Sequence, residues 1–262
     1  MPVFRRISIG DLTVYRSDNI NTGHLFSTRC GGVSTLPHLV SLNVGENRGD
    51  SEENVEENFS RLTRVLGGDN SLLVRSRQIH SVNVRTVTKG DKGAFYDDCD
   101  GFVTADEGVI LCVKVADCAP ILLFDEKARV AGALHAGWRG SCSGIALEGV
   151  KKMIALGADA GNIKAAIGAC IHSCCYQVGQ DFALQVRENM GDAAELYLQK
   201  DAEPGKFRAD IVGMNIYYLK AAGLPEENIS VCDECTCHNP RLFFSHRYSK
   251  GLRGTMCALI KL

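Results

Sequence analysis

The spacing of apolar positions changes several times along the chain, and each change marks an element. Between 52 and 66, Val55, Phe59, Leu62 and Leu66 recur at steps of four, three and four, and Gly67-Gly68 follows. That pattern predicts an amphipathic helix with a glycine stop. The centre reads differently. SLLVRSR (71–77), VNVRTV (82–87), GVILCVKV (108–115), ILLFD (121–125) and ARVAGALH (128–135) are mostly unbroken apolar runs, as expected of strands buried on both faces. Helical stripes return at 143–156, where Leu147, Val150 and Ile154 oppose Glu148, Lys151 and Lys152, and again near 180–190. Asp210 as N-cap and Gly223-Leu224-Pro225 as stop bracket a helix at 210–222. Further strands are expected at 163–168, 229–232, 242–246 and 255–261, and short strands and turns open the chain. Strands outnumber helices without alternating with them, so the class is α+β, with mixed β-sheets and flanking helices. No repeat or linker interrupts the 262 residues, which favours a single domain over 1–262.

Composition narrows the partner. A net charge of −2 gives no basic field for nucleic acid, so a small molecule is the expected ligand. The N-terminus lacks a signal-peptide core, and the most apolar stretch, VILCVKVADCAPILLF, is broken by Lys114, Asp117 and Pro120. No membrane association is expected, and the chain reads as cytoplasmic. In a reducing compartment its 12 cysteines are thiols, metal ligands or catalytic groups rather than a disulfide framework.

Candidate chemistry concentrates at His80, Cys118 and His135, each at the end of a predicted strand. If ILLFD and ARVAGALH form a hairpin in which Asp125 faces Ala128, then Cys118 faces His135, with Cβ atoms about 4.5–5.5 Å apart. Two imidazoles and a thiolate suit a borderline-soft divalent metal, or a nucleophile with its base. Gln78 shares a strand face with His80 and either orients the imidazole or touches a ligand. His135 opens HAGWRG, where glycines flank Trp138 and Arg139. Arg139 is either an anion donor or a solvent-facing residue of a structural turn. Asp100 and Asp117 are the nearest carboxylates in sequence, read as acid/base groups, turn caps or ligand orienters. Two cysteine-rich stretches stand apart: Cys170, Cys174 and Cys175 with His172, and Cys232, Cys235 and Cys237 with His238. Cys232 and Cys235 have C-x-x-C spacing with His238 close behind, yet a zinc site there needs a fourth ligand from elsewhere, and the 170–175 stretch reads as a strand-to-helix turn with incidental thiols rather than a redox-sensitive or metal-adjacent loop.

FSTRCGGVS, SLNVG, RQIHS, DGFVT, VADCAPI, HAGWRG, AIGACI with CCYQVG, and FFSHR occur in an order that resembles the YfiH-like proteins, also called the multicopper polyphenol oxidoreductase (laccase) family. The resemblance runs from about Phe26 to Arg247. It implies an α+β fold with mixed sheets and a metal, usually zinc, held by His80, Cys118 and His135. It also implies purine nucleoside chemistry: phosphorolysis of adenosine, inosine and methylthioadenosine, and deamination of adenosine. Purine nucleosides and phosphate are then the small-molecule partners of a monomer or weak homo-oligomer. Arg29, Asn43, Gln78, Arg139 and Arg247 become candidate substrate- or anion-binding residues. Two departures bear on preference. Tyr248 follows Arg247 where the family usually has a second arginine, and its later T-G-R is reversed as Arg253-Gly254-Thr255.

Three other readings use the same residues. A metal-free cysteine hydrolase takes Cys118 as nucleophile and His135 as base. A phenol oxidase takes copper in the His/Cys set, although 7 histidines are too few for a multicopper laccase. A zinc-stabilised module has no turnover.

Overall fold

A computed structural model describes residues 3–262. Its core is two mixed sheets facing each other. The first has seven strands in the order Phe4–Ile9, Leu12–Ser17, His24–Ser27, Met256–Lys261, Ile110–Val115, Leu73–Ser76 and Phe95–Tyr96. The second has six: Ile229–Val231, Lys164–Ile167, Ala119–Asp125, Val130–Ala136, Gly101–Thr104 and Val84–Thr86. A third, small sheet joins Gln177–Val178, Phe207–Ala209 and Leu198–Lys200. Parallel and antiparallel neighbours occur within both large sheets, so the expected α+β class with mixed sheets holds.

Alternation along the strands explains the layers. Leu111, Val113 and Val115 of one sheet meet Leu122, Phe124, Ala131 and Ala133 of the other. The alternate residues Ile110 and Cys112 turn outward onto α1 (Glu52–Val65), against Val55, Phe59 and Leu62. On the opposite side Ile121, Leu123 and Leu134 pack on α3 (Ile145–Ala155) and α5 (Ile211–Ala221). Between them in sequence, α2 spans Trp138–Cys142, and α4 spans Gln180–Met190 beside the small sheet. Both sheets are thus covered on both faces, which is why the central strands read as continuous apolar runs. Phe59 and Leu62 are fully buried, each contributing about 1.5–3 kcal/mol by leaving water.

Local signals explain the helix ends. Ser51 caps α1 by accepting from Asn54 N, and Asp210 caps α5 by accepting from Gly213 N at 2.9 Å. Two expectations change. The hairpin register is offset by two, with Asp125 opposite Val130 and His135 opposite Pro120. Asp125 is the cause: its carboxylate accepts from Lys127 N and Ala128 N at 2.9 and 3.0 Å, so the turn takes four residues. The expected strand at 242–246 is a run of turns instead, in which Leu242 N and Phe243 N both donate to Asn239 O. Helix α2 was not expected, because its five residues are too few to show a period.

Candidate active site and metal centre

The site lies where the gap between the two large sheets opens at one end. His135 belongs to the strand face that carries Ala131 and Ala133 into that gap, and Cys118 packs against the same core. A two-residue offset leaves the parity of the hairpin unchanged, so Cys118 and His135 still share a face, now diagonally. His80 arrives on the loop that crosses from Leu73–Ser76 of the first sheet to Val84–Thr86 of the second. One donor atom each from His80, Cys118 and His135 lies within 4.8 Å of the others.

Asp100 builds this arrangement. It is fully buried, and its carboxylate accepts from Ile79 N, His80 N, Ser81 N and Ser81 Oγ at 3.2, 2.9, 2.7 and 2.7 Å. These bonds hold His80 in a left-handed conformation, φ 61°, which costs of order 1 kcal/mol without such support. The same carboxylate lies 2.8 Å from His135 Nδ1, leaving Nε2 for Cys118. The two rings meet edge to face, 4.8 Å between centroids. Gly137 permits this, because a Cβ there would overlap His80 Nδ1. Asp117 is the second brace, at φ 83°, accepting from Thr236 Oγ1 and Arg247 N at 2.6 Å each. Neither carboxylate is free for proton transfer; both orient ligand-bearing loops.

The charges follow from this packing. Burial works against a charged His135, but Cys118 and Asp100 outweigh it and push the imidazole up to about 9. Burial would raise the Asp100 carboxyl, yet His135 and the Ser81 donors hold it below the ordinary value. His80 is lowered, first by loss of water and then by positive charge on His135. The donor set suits zinc: two imidazoles and a thiolate in contact, with Asp100 fixing one tautomer from behind.

A cavity of about 720 Å³ opens over the three side chains. Trp138, Tyr176, Ile171 and Val115 give it an apolar wall, and Phe182 packs behind Trp138 and Tyr176 at 4.6 and 5.7 Å. Five cations also line it: Arg48, Arg77, Lys114, Arg247 and Arg253. Lys114 pairs with Glu46, and Arg77 with Asp97. Among the described residues no carboxylate forms an ion pair with the other three. Arg253 is the most telling, since its Nε is buried with no hydrogen-bond partner. Burial and Arg48 depress the Arg253 guanidinium to about 10.

Two of the five candidate binding residues reach the cavity. Arg247 lines it, bonding Cys175 O at 3.1 Å and lying over the Tyr176 ring. Gln78 also lines it while clamping the Lys114 backbone, accepting from N at 2.6 Å and donating to O at 2.7 Å. The structure does not bring the others in. Arg29 is spent on Val40 O and Pro240 O, beneath Phe244. Asn43 is buried, holding Gly45 N and Thr255 N at 2.9 and 3.0 Å. Arg139 is exposed and stacks on Trp138. Arg48, Lys114, Tyr176 and His246 were not singled out from sequence: Arg48 and Lys114 lie outside the motifs, and Tyr176 and His246 stand inside CCYQVG and FFSHR beside residues whose chemistry drew the reading.

The family model described as multi-copper polyphenol oxidoreductase laccase matches residues 23–262. A purine nucleoside phosphorylase of Deinococcus radiodurans is 36% identical over 251 residues, 96% of this chain and 93% of that protein. The purine nucleoside phosphorylase YlmD of Geobacillus stearothermophilus is 35% identical over 246 residues, 89% of this chain and 88% of its own. The crystal structure of YlmD from that organism aligns with a TM-score of 0.91 at 31% identity, covering 100% of this chain and 99% of that one. The Bacillus licheniformis hypothetical protein YfiH aligns at 0.89 and 29%, covering 99% and 98%. On fold, motif order and sequence together, the chain belongs to the YfiH-like, multi-copper polyphenol oxidoreductase laccase family.

Proposed function

We propose that this protein is a zinc-dependent purine nucleoside phosphorylase that cleaves adenosine, inosine and methylthioadenosine and also deaminates adenosine. One observation carries the reading. Three zinc-competent donors meet in a cavity that also holds three arginines without carboxylate partners and the rings of Trp138 and Tyr176. A cavity of this size takes a small-molecule ligand. Zinc on three protein ligands keeps a fourth position open and supplies Lewis acidity there.

The chain's own residues supply the rest. Trp138 and Tyr176 offer faces on which a purine stacks. Arg253, Arg247 and Arg48 offer donors for phosphate, and the unpaired Arg253 Nε gains most from an anion. An oxygen of hydrogen phosphate then bonds to the ribose anomeric carbon as the bond to the base nitrogen breaks, and the phosphate's proton passes to the departing base nitrogen. Asp100 keeps His135 aimed throughout. The names of the relatives from Deinococcus and Geobacillus support the phosphorylase half of the reading. The reading places a single-domain enzyme, monomeric or weakly self-associating, in the cytoplasm.

The test is turnover of adenosine and inosine with and without phosphate, on protein of measured metal content. Free base and ribose 1-phosphate are expected only with phosphate, and inosine from adenosine without it. Metal-replete protein that turns over no nucleoside would end the proposal. A second reading draws support from the order Cys118, His135, Asp100, which matches nucleophile, base and orienter in a metal-free cysteine hydrolase. It requires full activity under strong chelation. The family description also carries copper chemistry, but only three of the 7 histidines stand in donor clusters among the described residues. A multicopper centre needs more.

A further inference from the structure

The two cysteine-rich stretches, far apart in sequence, meet in space. Lys164–Ile167 and Ile229–Val231 are parallel neighbours, and the pairing continues to Cys170 beside Cys235. The loops that follow leave the sheet at the same end. His172 N reaches Cys235 Sγ at 3.5 Å, and Thr236 N donates to Cys170 O at 3.0 Å. The C-x-x-C pair divides. Cys232 turns into the core between the sheets, whereas Cys235 faces the other side, as an odd separation in extended chain requires.

We propose that Cys174, Cys175, Cys235 and His238 bind a second zinc ion, structural rather than catalytic. One donor atom from each lies within 4.8 Å of all the others, and Cys174 Sγ stands 3.6 Å from His238 Nδ1. Tetrahedral zinc, with bonds of about 2.3 Å to sulfur and about 2.0 Å to nitrogen, sets donor-to-donor edges of roughly 3.4–3.8 Å. The cluster therefore needs only small side-chain shifts. Three thiolates and an imidazole fill the coordination shell, so no position is left for substrate. The ion ties two loops that form one wall of the cavity. Arg247 bonds Cys175 O, Arg208 bonds Cys174 O at 2.8 Å, and Thr236 bonds Asp117, the neighbour of Cys118. Ile171 and Tyr176 of the first loop line the cavity directly.

Zinc content tests this independently of the first site. The full-length C118A/H135A variant, grown with zinc and desalted, is expected to keep about one zinc per chain, and adding C174S/C235S is expected to remove it. Cys174, Cys175 and Cys235 should resist alkylation until a strong chelator is added. A zinc-free C118A/H135A protein whose three thiols alkylate freely overturns the proposal, as does alkylation that needs prior reduction, which marks a disulfide. If that variant does not fold, wild type is compared with H238A. A loss of about one zinc per chain supports the proposal, and equal content overturns it. Wild-type protein whose only zinc is lost with C174S/C235S keeps this site and rejects the first.

Discussion

Two clusters of sulfur and nitrogen lie at the same end of the second sheet, built on opposite plans. His80, Cys118 and His135 come from three distant segments. Asp100 holds the first and last of them, and Asp117, held by Thr236 and Arg247, precedes Cys118. Cys174, Cys175, Cys235 and His238 come from two loops, and two of the four are exposed. The first set has three donors facing a cavity with unpaired arginines; the second has four, and none of them lines that cavity. The difference teaches that donor chemistry alone does not assign a role. The number of donors and what surrounds the open side decide between turnover and bracing.

The largest expected effect is at the first cluster. His135→Ala or Cys118→Ser should abolish nucleoside turnover, by about a thousandfold or more, with an unchanged circular dichroism spectrum. Loss of fold instead would make both clusters structural and collapse the contrast. Asp100→Asn comes next, at about 10–100-fold in zinc affinity or activity, read by competition with a chromogenic chelator. Gly137→Ala should cost about tenfold in the same assay, because only His80 is displaced. An unaffected Gly137→Ala would show that His80 is not a ligand.

The smallest effect is a control that belongs to neither cluster. Burial outweighs two backbone hydrogen bonds and holds His24 below its ordinary value of 6.5. The unfolded chain then binds the extra proton first. His24 therefore contributes stability that is complete above about pH 6.5 and is lost as pH falls towards its folded value. Thermal melts should show this loss in wild type and a flatter profile in His24→Gln. Subtracting it isolates the acid sensitivity of the two clusters.

How much of this was legible depended on range. Strands buried on both faces announced themselves as apolar runs, and the pairing of Cys118 with His135 survived a wrong register because an even offset preserves the face. Nothing local fixed the distance to His80, which is set by a carboxylate 20 residues away. The second cluster was visible only as two stretches of cysteines. The parallel pairing that joins them spans more than 60 residues. Arg29, Asn43 and Arg139 look like site residues by type and position, but backbone carbonyls, backbone amides and an indole ring occupy them instead.

One feature of the first sheet bears on how the protein is made. Met256–Lys261 is an interior strand, inserted between His24–Ser27 and Ile110–Val115, with Cys257 N bonded to Ser27 Oγ across 230 residues. At about 5–20 residues per second, a ribosome separates those two residues by roughly 10–50 s. Until then the sheet has two raw edges where its middle should be. Such edges invite pairing with other chains, and the faster the last strand is made, the shorter that exposure. Refolding of the protein in dilute solution should be limited by this last insertion.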